Sequence, residues 1–283
     1  MFPKLRRRAA VVCLIAGFVV IRNPLALESL AIAAPAPKLT VSEQAAAILA
    51  EIQLPMLQAV SPDLNPRKLA EDPAFTAEKL KDYADDGPTF EEIRSEPDKY
   101  FGQYPLRVAV VDAVVEIRKF DKDLPDTFRD PVSDATLKEI TDKHQRTLAE
   151  RQGTLEELRD KFEEVAKKRK QEKSKRWQAH FDYVQAQIGL RTAWLFEYNL
   201  ALGQVKTQKL PPLDDKLKQN GWRLRAADKM LAPVEIRTSA GEAKKRLAQI
   251  ANDYPGTPWA VLADKQKDMF LGLEWAPVEI GDK

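Results

Sequence analysis

Two histidines, His144 and His180, are the chain's only imidazoles, and 36 residues separate them. A metal site built on them would need carboxylates to complete it, and neither has a ligand at the short spacing that metal motifs use. Both are expected to be ordinary helix-surface or seam residues. Past the first 33 residues the sequence has no Gly-x-Ser-x-Gly turn and no glycine-rich phosphate loop. Nucleophile-elbow and nucleotide-cradle chemistry therefore have no anchor. Asp112 and Glu116 lie one helical turn apart in an otherwise apolar segment. Such a pair can serve as acid and base if buried together. The plainer expectation is a polar stripe, ion-paired to Arg107 or Lys119, and an enzyme using these carboxylates is the alternative. Asp85-Asp86 is turn chemistry. No catalytic residue, metal site or cofactor is expected.

Two groups of residues suit binding better than catalysis. Lys167 to Arg176 carries no apolar side chain. Lys167, Lys168, Arg169 and Lys170 suit an acidic partner, an anionic headgroup or an envelope polymer. The competing expectation is a solvated segment between two packed seams, projecting into water. Trp222, Trp259 and Trp275 lie in or beside the C-terminal helices. They suit a groove for a partner peptide, or else the core of a small helix pair.

The element that must position these groups is the stretch Thr154–Val205, some fifty residues without proline. Thr154-Leu-Glu-Glu157 has the form of a capping box and predicts a helix start. Leu155, Leu158, Phe162 and Val165 step by three and four, the spacing of a helix seam. The seam resumes as Trp177, Phe181, Val184, Ile188, Arg191, Leu195, Tyr198, Leu202 and Val205, one residue out of phase, which predicts a drift at the basic run. Unbroken, this helix would span about 75–80 Å. Ser133 or Asp134 caps a preceding helix with Leu137, Ile140, His144 and Leu148. Gly153 marks either a hairpin bend or a weak point, and about 1 kcal/mol for one glycine does not decide between them.

Other elements follow from local signals. Thr40-Val-Ser-Glu43 is a capping box, and its helix carries Ala46, Ile48, Leu49 and Ile52, then Met56, Leu57 and Val60 beyond a kink at Pro55. Five prolines break residues 61–104, with short helices at 76–83 and 89–94. The valine-rich segment Pro105–Lys119 is read as a buried helix with Pro at its first position, a strand being the alternative. Lys209-Leu-Pro-Pro212 stops the long helix. Ser239-Ala-Gly-Glu242 is a further capping box, Asp253-Tyr-Pro-Gly256 turns the chain, and Thr257-Pro258 opens a last helix reaching Phe270 and Leu271.

Composition bounds the function classes. The 283 residues are 31% charged and 44% hydrophobic, which suits a helical protein. Lys4, Arg6, Arg7 and Arg8, the thirteen-residue apolar run Ala9–Ile21 and Ala31-Ile-Ala33 read as a signal peptide cleaved near Ala33. An uncleaved anchor is the alternative, while Val12 before Cys13 is wrong for lipid attachment. Removing residues 1–33 takes away five basic residues and one acidic one, turning 45 against 43 into 40 against 42. The basic balance thus belongs to the leader, and nucleic acid loses its support as a partner. Cys13 is the single cysteine, so the remainder has no thiol chemistry.

The C-terminal hairpin resembles the tetratricopeptide type of helix pair through Ala243, Leu247, Ile250, Tyr254, Pro255, Gly256, Thr257, Ala260 and Ala263. The match spans one repeat and no second copy occurs, although such arrays need about three. The chain as a whole resembles exported bacterial helical proteins with a long coiled helix. That resemblance implies protein–protein contact and no catalytic residues. The expected fold is all-α: a long helix or helical hairpin packed with shorter helices and a tetratricopeptide-like pair. Its segments are a signal peptide (1–33), an N-terminal helical region (34–132), the long helix (133–207), a Pro/polar connector (208–237) and the pair with its tail (238–283). The expected function is an exported, periplasmic or envelope scaffold binding a protein partner. Self-association and weak contact with an anionic membrane or polymer are compatible with this, and a membrane-surface structural protein is a further alternative.

Overall fold

The computed structural model describes residues 39–52, 54, 69–84, 87–120, 124–129 and 134–281. The expected leader, the Pro55 kink with Met56, Leu57 and Val60, Asp85-Asp86 and Ser133 lie outside the described residues. The described chain is mostly helical: α1 (Val41–Ile52), α2 (Ala77–Lys81), α3 (Phe90–Ser95), α4 (Pro97–Phe101), α5 (Pro105–Arg118), α6 (Asp134–Ala166), α7 (Lys175–Lys206), α8 (Val234–Asp253) and α9 (Pro258–Gln266). It also has three strands, β1 (Thr127–Arg129), β2 (Gly221–Ala227) and β3 (Gly272–Val278), so the all-α expectation holds for most of the described chain and is corrected by one small sheet.

The long stretch is a hairpin, and it turns at the basic run, not at Gly153. α6 runs without interruption through Thr154, whose hydroxyl donates back to the Glu150 carbonyl at 3.2 Å instead of capping a new helix. Its inward residues are Thr141, Leu148, Arg151, Leu155, Leu158, Phe162 and Val165. That is a single heptad seam, with a buried arginine where an apolar residue would have made continuity plain. A one-turn 3-10 segment, Arg169–Gln171, reverses the chain. α7 then runs back along α6: Phe162 stacks on Phe181 at 4.9 Å near the turn, and Lys206 meets Asp142 at 3.0 Å near the other end. The one-residue change of phase was the mark of this reversal.

The sheet is antiparallel in the order β1-β2-β3. Trp222, Leu224 and Ala226 alternate with Arg223 and Arg225 along β2, the period of a strand with one face toward a core. On β3 Leu273 and Trp275 are buried while Glu274 points outward. Pro277, which has no N–H to donate, sits in this edge strand. Trp275 packs edge-on to Phe128 of β1 at 5.1 Å and donates to the Ala201 carbonyl of α7 at 2.8 Å. The sheet is thereby fixed to the end of α7 farthest from the turn.

α8 starts at Val234, so the expected capping box at Ser239 lies inside it. It crosses α7 closely where Gly189 meets Ala243: a Cβ at 189 would lie 3.0 Å from the Ala243 Cβ. Gly256 turns the corner with φ +71°, and Thr257 caps α9 as its sequence predicts, accepting from the Ala260 amide. α1 begins with the expected Thr40–Glu43 capping box, and α3 begins with a second one, Thr89–Glu92, at the start of the expected short helix. α5 is the valine-rich helix, with Pro105 at its first position and Val108, Val110, Val111 and Val114 buried.

Candidate functional site

The basic run proves to be the junction of the molecule. Arg169 grips Asp182 with both arms, Nε at 2.7 Å and the terminal nitrogen closer still, and donates to the Tyr254 hydroxyl at 2.9 Å. Tyr254 also donates to Asp182 at 2.6 Å, which ties the α8–α9 corner to the turn. The Asp182 hydrogen bonds push the Arg169 guanidinium well above its ordinary value despite partial burial. Burial first, then Asp182, pushes the Tyr254 phenol up. Glu172 takes a bidentate pair of hydrogen bonds from Arg107 of α5, at 2.9 and 3.0 Å, and one from the Ser174 amide at 2.9 Å. Side-chain exposures of 5% and 9% make Arg107–Glu172 a buried pair. Arg107 also lies over the rings of Tyr104 and Trp177. Lys175 reaches Asp82 at 2.9 Å, holding that carboxyl below its usual range, and Arg176 reaches Glu51 of α1 at 2.5 Å. The expectation that this segment only projects into solvent is therefore corrected for Arg169, Glu172, Lys175 and Arg176. Each satisfies a charge on another element.

Lys167, Lys168 and Lys170 differ from these. All three are exposed and have no acidic partner among the described residues. With Lys173 they stand at the tip of the hairpin. Beside them a cleft of about 800 Å³ is lined by Gln103, Tyr104, Arg107, Lys168, Glu172 and Lys173. Its deepest cation, Arg107, is already neutralised by Glu172, so the positive character of the cleft comes from its lysine rim.

The tryptophans are placed as packing residues. Trp259 is fully buried and Trp275 is 3% exposed. Half-buried Trp222 donates to the Pro211 carbonyl at 2.8 Å. Trp259 and Trp275 belong to different elements, helix pair and sheet, and both take the core alternative; among the described residues neither lines the lysine-rimmed cleft or one beside Arg118. Asp112 pairs with Lys161 of α6 at 2.5 Å and Glu116 with Lys119 at 2.6 Å, all four partly exposed. Neither carboxylate lines the 800 Å³ cleft or a second one of about 910 Å³ beside Arg118. His144 is half-buried on α6.

His180 is wholly buried, with Nε2 2.9 Å from Glu51 Oε2 and Nδ1 3.1 Å from the Trp259 indole nitrogen. Burial works to raise the Glu51 carboxyl, but His180 and Arg176 outweigh it and hold the group below its ordinary value. The sequence leaves His180 as either a surface or a seam residue; its partners lie 129 and 79 residues away and left no local signal. Further along α7, Gln187 donates to Gln266 of α9 at 2.7 Å, and Tyr183 to the same oxygen at 3.1 Å. Among the described residues no group of three or more His, Cys, Asp or Glu side chains is placed to hold a metal ion. No helix among them is long and apolar enough to cross a membrane.

The chain is thus a mostly helical protein built on an antiparallel hairpin whose tip is basic. No known family model, curated protein or solved structure matches it.

Proposed function

We propose that the chain is an exported, non-catalytic helical scaffold or adaptor of the cell envelope. It meets an acidic face of a protein partner through the tip of the α6–α7 hairpin. One observation carries this reading, the division of labour within the basic run. Arg169, Lys175 and Arg176 neutralise carboxylates of this chain, while Lys167, Lys168 and Lys170 remain exposed beside a rigidly tied cleft. Exposed lysines on a fixed frame speed encounter with an oppositely charged surface and select against like-charged ones. The α8–α9 pair, tetratricopeptide-like in its corner residues, then acts as a brace on α7 and not as one unit of an array. The leader-like residues 1–33 supply the export reading.

The test compares wild type with Lys167→Glu/Lys168→Glu/Lys170→Glu, immobilised without residues 1–33 and exposed to envelope extract. Among the described residues these exposed lysines have no acidic partner, so both proteins should melt alike. A protein retained by wild type at 50 mM salt, weakened at 300 mM and lost with the triple variant supports the proposal. Equal retention by both overturns it. Binding to vesicles of anionic lipid with no protein retained would favour a membrane-surface role instead.

A further inference from the structure

The chain of contacts from Trp259 through His180 to Glu51 and Arg176 joins α9, α7 and α1 inside the core, and the proposed partner reading makes no use of it. An indole N–H can only donate. Nδ1 of His180, 3.1 Å from the Trp259 nitrogen, is therefore an acceptor, and the one ring hydrogen sits on Nε2, aimed at Glu51 Oε2 at 2.9 Å. That oxygen also accepts from Arg176, at 2.5 and 3.1 Å. The contacts select one tautomer of the neutral ring. A second proton on Nδ1 would set two donors against each other across 3.1 Å, within a ring that is 0% exposed. On its other side the imidazolium would gain attraction to Glu51. Acid therefore shifts the ring's interactions from α9 toward α1.

We propose that His180 is an acid-sensitive latch: neutral, it holds α9 against α7, and protonated, it lets α9 go. The charged and titratable groups around it are fixed by the same packing. α1 contributes Glu51, and α7 contributes Arg176 and Asp182, the latter held by Arg169 and Tyr254. Arg107 of α5 and its partner Glu172 lie behind Trp177, whose ring is edge-on to His180 at 5.2 Å. Tyr83, after α2, packs on Trp259 at 5.2 Å. α9 presents the indole of Trp259. In the unfolded chain the imidazole titrates near its ordinary value, about 6.5. A folded state that resists the proton keeps this stabilisation above that value and loses it as the pH falls below it. Opening α9 frees the Tyr254–Arg169 corner, and with it one anchor of the basic tip.

Two histidines make the test direct. In His144→Gln the only imidazole is His180. Nitrogen-detected NMR of this variant between pH 8 and 5 reads both ring nitrogens, and the Trp259 indole proton and the exchange protection of amides 260–266 are followed in parallel. The expected result is Nδ1 bare and Nε2 protonated at pH 7.5. One transition on acidification should then protonate Nδ1, shift the indole proton and lower α9 protection at least tenfold, while the α6 amides stay protected. His180→Gln in the same background offers a carboxamide oxygen to Trp259 and an NH2 to Glu51 without titrating. It should hold α9 protection within about twofold over that range. Trp259→Phe removes the opposing donor and should raise the pH at which His180 takes its second proton. The proposal is overturned if both ring nitrogens are protonated at pH 7.5. Unchanged α9 protection down to pH 5, or an undiminished transition in a folded His180→Gln, would overturn it as well. If His180→Gln does not fold, the ring titration and Trp259→Phe decide alone.

Discussion

Arg107→Met tests whether the basic run is held by paired charges. In the folded chain the guanidinium makes two hydrogen bonds to Glu172 and lies over two aromatic rings. Methionine fills much of the same volume but leaves the Glu172 carboxylate, 9% exposed, with the Ser174 amide and without its cation. Removing one partner of a buried ion pair costs about 3–5 kcal/mol, most of it from the charge left behind. For a chain of this length 1 kcal/mol moves the melting temperature by about 2–4 °C, so a fall of roughly 6–20 °C is expected. Glu172→Met should cost a similar amount. Arg107→Met/Glu172→Met should recover most of the loss, because two apolar residues leave no charge unpaired. Urea unfolding of the four proteins, followed by fluorescence and circular dichroism, closes the double-mutant cycle. A single-variant cost below about 1 kcal/mol, or a double variant whose cost is the sum of the singles, would refute a pairing that fixes the turn.

Gly256→Ala should destabilise by about 1–2 kcal/mol, since φ +71° is left-handed and the new methyl would lie 2.9 Å from the Ala74 carbonyl oxygen; thermal melts read this directly. Phe162→Ala removes a 1% exposed ring stacked on Phe181 and should cost about 3–5 kcal/mol in urea titration. At alkaline pH the buried Tyr183 phenol, pushed up to about 12 from 10.0, keeps its proton after the unfolded chain has lost it. Stability is therefore complete below pH 10 and falls as pH rises from 10 toward 12. Tyr183→Phe should flatten the slope of melting temperature against pH in that window.

Much of the helical layout was legible because its signals are local. The box at Thr40, the short helix at 89–94, the proline opening α5 and the Thr257-Pro258 start of α9 are where their residues place them. The same four-residue pattern misled at Thr154 and Ser239, where packing carries the helix through the would-be cap. In α6 the seam continues through buried Arg151, which looks polar in the sequence and anchored in the fold. The strands were hidden for a different reason. β2 shows its alternation in Trp222, Leu224 and Ala226, but it pairs with segments near 128 and 275, and no local pattern names such distant partners. The site followed the same rule. Ten basic and polar residues in a row described a solvated segment, yet Asp82, Glu51, Asp182 and Arg107 convert four of them into an internal fastening.

The most direct measurement places a photo-crosslinking amino acid at Lys170, on the hairpin tip, and separately at exposed Lys209, beyond the far end of α7. Each protein is then irradiated in intact cells. A partner contacting the tip yields one discrete adduct from position 170, weakened by Lys167→Glu/Lys168→Glu, and none from position 209. Adducts from 209 alone, or from both positions alike and indifferent to those charges, would contradict the assignment of this tip as the binding face.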